Sequence, residues 1–289
     1  MNPAKRSLQS FFSVLVILFF FGCSTTRNTS QDKIELNFEH LYENGVKYWD
    51  QRISPEKAGL AVNFLKTAAE INPNDYELQV LLSRAYYFYA EYISTNQSEK
   101  DSLFTQGMKA AYYGLTISME VPPDQSEGAD PQNITVLLQE ISDTKTSALY
   151  WWTANFGRLM VKKPVLERLK NQEAFETVLY KLTSLNPNFY YGGPYRILGA
   201  FYARIPGADL DLAKSNFEIS INNFPKYFAT KVLMAEFYYV KIGNREKFHS
   251  ILNEVINDDP TLLPAAMAEN LFEQKRAQAL LDMEASLFE

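Results

Sequence analysis

Apolar residues recur every three or four positions from Leu36 to the end of the chain, which is the spacing of one face of an α-helix. Proline interrupts this pattern five times, each time at the end of an apolar stretch. Because proline lacks an amide hydrogen and its ring clashes with the preceding turn, a helix ends before it. We therefore predict an all-α protein of about a dozen helices and no sheet. Five helix ends are predicted, at Pro73, Pro122, Pro187, Pro225 and Pro260.

The sequence before these prolines also repeats. An alanine or phenylalanine stands 12 residues before each proline, and a second residue, mostly large and apolar, follows it by four positions. The spacing resembles the second helix of a tetratricopeptide repeat, whose period is about 34 residues. The positions are Ala61, Ala110, Phe175, Ala213 and Phe248, followed by Leu65, Gly114, Leu179, Phe217 and Leu252.

The intervals between the five prolines are 49, 65, 38 and 35 residues, so only the last two approach that period. The array is therefore divergent, and the longer intervals hold inserted loops or an extra helix. Helical hairpins of this kind stack because no single hairpin buries its own apolar face, and the stack leaves a concave binding surface. We expect residues 36–289 to form one domain, a right-handed solenoid of tetratricopeptide-like hairpins.

Three segments can be placed beside the repeats. Residues 122–131 are rich in proline, glycine, serine and aspartate, which predicts a surface loop. The helix after Pro264 carries scattered apolar residues among many polar ones, so we expect a terminal capping helix with a polar outer face. Between them, helical spacing predicts one long helix packed on one side. Its apolar face contains Ile134, Leu137, Leu138, Ile141, Ala148, Leu149, Trp152, Phe156 and Leu159.

The N-terminus has the pattern of a secretory signal. A basic pair precedes an apolar run of about 14 residues, which as a helix is roughly 21 Å long and too short for the roughly 30 Å hydrocarbon layer. Gly22 and Cys23 follow, before a polar stretch, and this arrangement resembles the bacterial lipobox. We predict a signal peptide over residues 1–22, a lipidated Cys23 and a flexible tether over residues 23–35. The alternative is a free thiol in a retained membrane anchor.

Composition excludes several classes of function. The chain has 28 basic and 34 acidic residues and a net charge of -6, which gives no reason to expect nucleic acid as a partner. One cysteine and two histidines are too few for a zinc site of the Cys/His kind, so we expect no metal. The sequence contains no phosphate-binding glycine loop, nucleophile elbow or metalloprotease motif. We therefore expect no cofactor, no catalytic residue and no enzyme activity.

Two stretches contain candidate ligand-binding residues. In the first, Trp151, Asn155 and Arg158 lie at spacings of four and three, with Lys162 four further on, so they share one helix face. Tryptophan offers apolar area with one donor, and arginine can bind a carboxylate through two hydrogen bonds. This face therefore either binds a carboxylated or amphiphilic ligand, or packs its tryptophan on the next hairpin while its cations reach into water.

The second stretch is residues 189–207, FYYGGPYRILGAFYARIPG. Its two glycines predict a tight backbone bend, and Arg196 lies on a helix face of small residues that lets another helix approach. An arginine on such a face needs a partner because an uncompensated buried charge is costly. The partner is either a structural aspartate or glutamate, or a ligand's carboxylate or phosphate. Tyr191 and Tyr202 are further candidates for the lining of a groove.

Together, these features resemble a known family of transport proteins. Gly22-Cys23, the LYWWTANFGRLM helix, the GGPYRILGAFYARIPG segment and the two closing hairpins are similar to those of the T-component lipoproteins of tripartite ATP-independent periplasmic (TRAP) transporters. The resemblance implies an all-helical periplasmic lipoprotein that partners the solute-binding P component, forms a homo-oligomer and passes it an apolar or carboxylated ligand. The serine after Cys23 favours the outer membrane by analogy with Gram-negative lipoproteins.

Two functions from different classes remain open at this point. In the first, the protein is a TRAP accessory that binds a small ligand and docks the P component. This function predicts an enclosed, partly apolar pocket with an arginine pointing into it. In the second, it is an envelope assembly scaffold that binds a peptide or protein on an open concave surface.

Overall fold

All regular structure in residues 25–117, 119 and 130–289, the part of the chain that the computed structural model describes, is helical. The all-α prediction is thereby confirmed. The fourteen α-helices are α1 (Thr25–Asp50), α2 (Pro55–Ile71), α3 (Tyr76–Phe88), α4 (Gln97–Thr116), α5 (Pro131–Leu137), α6 (Thr146–Val161), α7 (Val165–Lys170), α8 (Gln172–Leu185), α9 (Phe189–Arg204), α10 (Leu210–Asn223), α11 (Phe228–Leu233), α12 (Arg245–Asn257), α13 (Met267–Asp282) and α14 (Glu284–Leu287). Two π-helical segments, Tyr89–Ile93 and Met234–Tyr239, continue α3 and α11.

The predicted helix ends are confirmed at four of the five prolines. Helices α2, α8, α10 and α12 each end two or three residues before the proline that follows them. Pro122 and most of the predicted loop at residues 122–131 lie outside the described residues. Local side chains also set several helix starts: the carboxylate of Asp75, for example, accepts a hydrogen bond from the amide of Leu78 at 3.0 Å.

The repeat positions before the prolines form the interior of the helix stack. All ten are buried, from Ala61 and Leu65 in α2 to Phe248 and Leu252 in α12. Neighbouring helices pack against each other along the chain, as α1 does on α2, α3 on α4, α4 on α6 and α9 on α10. The apolar spacing therefore predicted the core, while the tetratricopeptide-like solenoid and its right hand stay predictions.

The predicted long helix after residue 131 is wrong. The chain leaves α5 after Leu137, and Ser142 adopts extended backbone before a short turn leads into α6. Serine, aspartate and threonine at residues 142–144 have side chains that compete for backbone hydrogen bonds, which favours a helix break. Eight of the nine apolar residues assigned to that helix are nevertheless buried.

Helix α13 exposes polar residues such as Lys275, as a capping helix would, but it also carries polar residues on its buried face. Glu269, Asn270 and Glu273 are at most 2 % exposed. Glu269 contacts Arg52, which lies just after α1, so the last long helix of the chain packs against the first ones. Glu269 and Glu273 are thus buried in the protein interior.

The predictions for the N-terminus fall mostly outside the described residues. This holds for the signal peptide over residues 1–22 and for the lipidation of Cys23. Helix α1 begins at Thr25, so residues 25–35 of the predicted tether are helical. No helix in the described ranges is both long and apolar enough to span a bilayer.

Candidate functional site

The chain enters α9 through a left-handed turn. Tyr190, Tyr191 and Gly192 have φ angles of 45°, 59° and 68°. Positive φ is easy for glycine but unfavourable for residues with a Cβ atom, so two consecutive tyrosines in this region store backbone strain. The surrounding structure must therefore hold the turn in place.

Arg196 holds the turn from one helical turn further on. Its Nη1 donates to the carbonyl oxygen of Tyr191 (3.1 Å), and its Nη2 donates to the carbonyl oxygen of Tyr190 (3.3 Å) and to the hydroxyl of Tyr150 (2.7 Å). A longer contact reaches the hydroxyl of Thr230 at 3.5 Å, and the guanidinium carbon lies 4.6 Å from the centre of the Tyr227 ring. The side chain is buried.

In the ranges that the structure describes, Arg196 is paired with neutral groups of the protein and not with a structural aspartate or glutamate. Within the described part of the chain, the partners are carbonyl oxygens, hydroxyls and an aromatic face, and no carboxylate lies within ion-pair distance. A guanidinium over an aromatic face gains electrostatic stabilisation, but the ring carries no full negative charge. The turn therefore leaves a buried positive charge without an anionic partner.

Gly193 allows Tyr150 to approach the turn. A Cβ atom at this position would lie 2.3 Å from Cε2 of the Tyr150 ring, and that ring is fixed because its hydroxyl binds Arg196. We expect Gly193→Ala to lower the free energy of unfolding by about 1–3 kcal/mol through overpacking. Urea denaturation measures this change. Gly157→Ala is the control for added bulk, since a Cβ atom there would make only ordinary contacts, at 3.6 Å or more, and an equal loss in both variants would contradict the steric explanation.

Trp151 and Asn155 lie in the protein interior. Trp151 is 3 % exposed and its ring centre is 4.8 Å from that of Tyr190. Asn155 donates from Nδ2 to the carbonyl oxygen of Trp151 (2.8 Å) and to the hydroxyl of Ser83 (3.2 Å), while its buried Oδ1 has no partner. These contacts join α6 to α3.

Tyr191 and Tyr202 face other side chains. Tyr191 stacks on Tyr227 with ring centres 4.8 Å apart, and Tyr202 donates from its hydroxyl to Glu176 at 2.5 Å. Neither tyrosine lines the cavities described below, and neither do Trp151 and Asn155.

A largely apolar cavity of about 100 Å³ lies between α6, α8, α9 and the segment Met234–Tyr239. Phe156, Phe175, Ile197, Phe201 and Phe237 supply much of its apolar wall. The charged residues of its wall are four arginines, and no aspartate or glutamate from the described residues lines it. These arginines are Arg158, Arg168, Arg196 and Arg204.

A second, more polar cavity of about 530 Å³ lies next to the first and shares Arg158 and Val161 with it. Its wall includes Glu91 and Glu236, one from each π-helical segment, and Arg276 of α13. π-Helical segments are often found at functional sites. Here they bring two acids to one arginine.

An ion-pair network lines the second cavity. Arg158 binds Glu91, and Arg276 binds Glu236 and Glu91, the last at 3.0 Å. Burial alone would raise the pKa of the Glu91 carboxyl, but Arg158 and Arg276 outweigh burial and hold this pKa below its usual value. Glu91 is therefore ionised, and Arg158 has an anionic partner within the protein.

Sequence reasoning missed the acids of α13. Glu269 accepts hydrogen bonds from Arg52 (2.9 Å), Arg84 (3.2 Å) and the hydroxyl of Tyr190 (2.9 Å), which ties the left-handed turn to the first helices. Glu269, Glu273 and Arg276 follow each other at spacings of four and three, so a shared face was visible in the sequence. Nothing in the sequence indicated that this face is buried.

Metal binding has no candidate among the residues described. No group of three or more histidine, cysteine, aspartate or glutamate side chains there is placed to hold a metal ion.

Fold and cavity define an all-helical protein with an arginine-lined apolar cavity inside its helix stack. The family model of the TRAP transporter T-component matches residues 57–288, which is well over half of the chain. The protein belongs to this family. Membership supports an accessory role in TRAP transport, in the bacterial cell envelope. A comparison with curated proteins returned no match.

Proposed function

We propose that the protein is a lipid-anchored, periplasm-facing TRAP accessory that binds a small apolar or carboxylated ligand and docks the solute-binding P component. The ligand site is the cavity between α6, α8 and α9. The observation that carries this proposal is the wall of the cavity, where four arginines and no described carboxylate surround apolar side chains. The whole chain has the opposite charge, -6.

The chemistry of the wall supports an amphiphilic ligand. Binding sites for small molecules are mostly apolar, with a few placed polar groups that set orientation. Aromatic rings such as Phe156 and Phe175 provide apolar contact, and guanidinium groups bind carboxylates through strong, directed hydrogen bonds. A ligand with an apolar part and an acid group would satisfy both kinds of wall.

The proposal also includes where the protein lies in the cell envelope and how it assembles. Lipidation of Cys23 would hold the protein on a membrane, since two or three acyl chains give durable anchoring where one is marginal. The outer membrane and a homo-oligomeric state are further parts of the proposal, and both rest on the resemblance of the sequence to T-component lipoproteins.

Filling the cavity tests the ligand site. Gly157 lies within α6 and lines the cavity, and a Cβ atom there would make only ordinary contacts, 3.6 Å to Phe175 and 4.0 Å to Ile197. We expect Gly157→Ala to raise the free energy of unfolding by about 0.5–1 kcal/mol, because glycine is unfavourable inside a helix. Both Gly157→Ala and the larger Gly157→Leu should reduce ligand binding, the latter more.

The measurement is native mass spectrometry of protein purified from the cell envelope, with bound small molecules identified after release. We expect a bound apolar or carboxylated molecule in the unaltered protein and a stepwise loss in the two Gly157 variants. Gly59→Ala is the matched control, because Gly59 lies in α2 and is absent from the cavity wall. Equal ligand content in all variants would refute this cavity as the site, and a ligand-free protein would favour the scaffold function.

A further inference from the structure

Two arginines of the apolar cavity have unused hydrogen-bond donors. Arg168 of α7 donates from Nη1 to the carbonyl oxygen of Arg204 (3.1 Å), and Arg204 donates from Nη2 to the carbonyl oxygen of Val161 (2.8 Å). The Nε–H group of each arginine is buried and has no acceptor. An unsatisfied buried donor costs about 1–3 kcal/mol, and such groups are uncommon without a functional or solvent partner.

A third cation adds to the positive charge at this place. Lys241 donates to the carbonyl oxygens of Ala203 (2.8 Å) and Ile205 (3.4 Å), next to Arg204. The three cations thus surround the C-terminal ends of α6 and α9, where helix dipoles favour positive charge. The carbonyl groups carry only partial charge, so these bonds do not neutralise Arg168 and Arg204, whereas Lys241 is exposed to water.

The pKa directions agree with an uncompensated cluster. Burial lowers the pKa of Arg204, and Arg168 lowers it further, while Glu236 acts in the opposite direction without reversing the shift. Burial also lowers the pKa of Lys241, with Arg204 and Arg168 adding to the effect. In the described part of the chain, no carboxylate lies within ion-pair distance of these three cations.

The other two arginines of the cavity are already engaged. Arg158 is paired with Glu91, and Arg196 donates to the left-handed turn and to Tyr150. The free donors in the cavity wall therefore belong to Arg168 and Arg204. Arg204 also lies eight residues after Arg196, two helical turns on, so both lie on one face of α9 with Ala200 between them.

Building on the ligand cavity proposed above, we propose that Arg168 and Arg204 form an oxyanion-binding subsite that receives the acid group of a small apolar acid. One oxygen of the acid accepts from each Nε–H, and the apolar tail lies among Phe156, Phe175 and Ile197. The cavity volume of about 100 Å³ limits the tail. Since a cavity of about 150 Å³ holds benzene, a tail of about four carbons fits.

A set of matched probes tests the subsite by ligand-observed NMR titration of the full-length protein. Isovalerate and isobutylphosphonate carry an acid group on a four-carbon tail, and isoamyl alcohol carries a neutral hydroxyl on a tail of similar size. We expect at least one acid to bind roughly tenfold more tightly than the alcohol, because charged hydrogen bonds are about twice as strong as neutral ones. The stronger acid probe identifies a carboxylate or a phosphate-type head group. Equal binding of acids and alcohol, or no binding of any probe, would overturn the subsite.

Variants assign the effect to the two arginines. Arg168→Gln and Arg204→Gln should each weaken acid binding by roughly tenfold and leave alcohol binding unchanged. Arg204→Lys keeps the positive charge and lacks Nε–H, so it should lose part of the affinity even if the glutamine variant folds poorly. Arg245→Gln is the control, because Arg245 is exposed and pairs with Glu284 away from the cavity. Circular dichroism confirms the fold of each variant.

The outcomes separate this inference from the proposed function. One outcome is that Gly157→Leu abolishes acid binding while the Arg168 and Arg204 variants bind like the unaltered protein. In that case the cavity is the ligand site, but the two arginines do not bind the acid group. If the protein purified from the envelope carries no ligand and no probe binds, the cavity itself is not a ligand site.

Discussion

Arg196→Met should lower the free energy of unfolding by about 3–5 kcal/mol, because several buried hydrogen-bond acceptors lose their donor, at about 1–3 kcal/mol each. The substitution keeps much of the side-chain length and removes all donors. The carbonyl oxygens of Tyr190 and Tyr191 and the hydroxyl of Tyr150 then lose a partner in the interior. The left-handed turn, which is unfavourable for both tyrosines, loses the group that holds it.

Urea denaturation followed by circular dichroism measures this loss. Arg245→Met is the matched control, since Arg245 is exposed and forms a surface ion pair with Glu284. Surface ion pairs contribute at most about 1 kcal/mol, so the control should stay close to the unaltered protein. A similar small loss at Arg196 would mean that the turn is stable without the arginine, and the account of α9 given above would be wrong.

Glu269→Gln is expected to have the second large effect, a loss of roughly 3 kcal/mol. Glu269 is 2 % exposed and accepts hydrogen bonds from Arg52, Arg84 and Tyr190. Glutamine has nearly the same shape, but it is neutral and places an amide NH₂ where an acceptor is needed. The two arginines would then be left beside α13 without a counter-charge.

The effect of this substitution should depend on pH in a defined direction. Burial alone would raise the pKa of the Glu269 carboxyl, but Arg52 and Arg84 outweigh burial, so its pKa in the folded protein lies below the usual 4.5. A folded-state pKa below the unfolded value means that ionised Glu269 stabilises the fold above the unfolded pKa. This contribution is lost as the pH falls through the folded pKa.

The measurement is the difference in unfolding free energy between the unaltered protein and Glu269→Gln, taken from pH 7 downward. We expect a constant difference above about pH 5 that narrows as the solution becomes more acidic. Taking the difference removes the acid dependence that Glu91 contributes in both proteins. A difference that stays constant down to the acid unfolding of the protein would show that folding does not lower the pKa of Glu269, and it would contradict this prediction.

The parts of the fold that depend on local chemistry were predictable. Proline is unfavourable in the interior of a helix, so the ends of α2, α8, α10 and α12 before a proline followed from the sequence. The buried positions before the prolines followed in the same way from their spacing. The break between α5 and α6 was missed because the apolar spacing continues through it, although Ser142 and Asp143 favour turns.

The candidate site was only partly predictable, because it depends on contacts between distant segments. Arg158 and Arg196 do line the cavity, but the strained turn that occupies Arg196 depends on tyrosine backbone angles that no sequence pattern indicates. Glu269 binds an arginine that is 217 residues earlier in the chain. For Arg204, the spacing of eight from Arg196 was a usable signal.

Native mass spectrometry of the protein mixed with the solute-binding P component of its TRAP system tests the central claim most directly. We predict a mixed complex that contains both proteins and a small apolar or acidic molecule, and the loss of that molecule, with the complex retained, in Gly157→Leu. A protein that carries no small molecule and forms no complex with the P component would contradict the account.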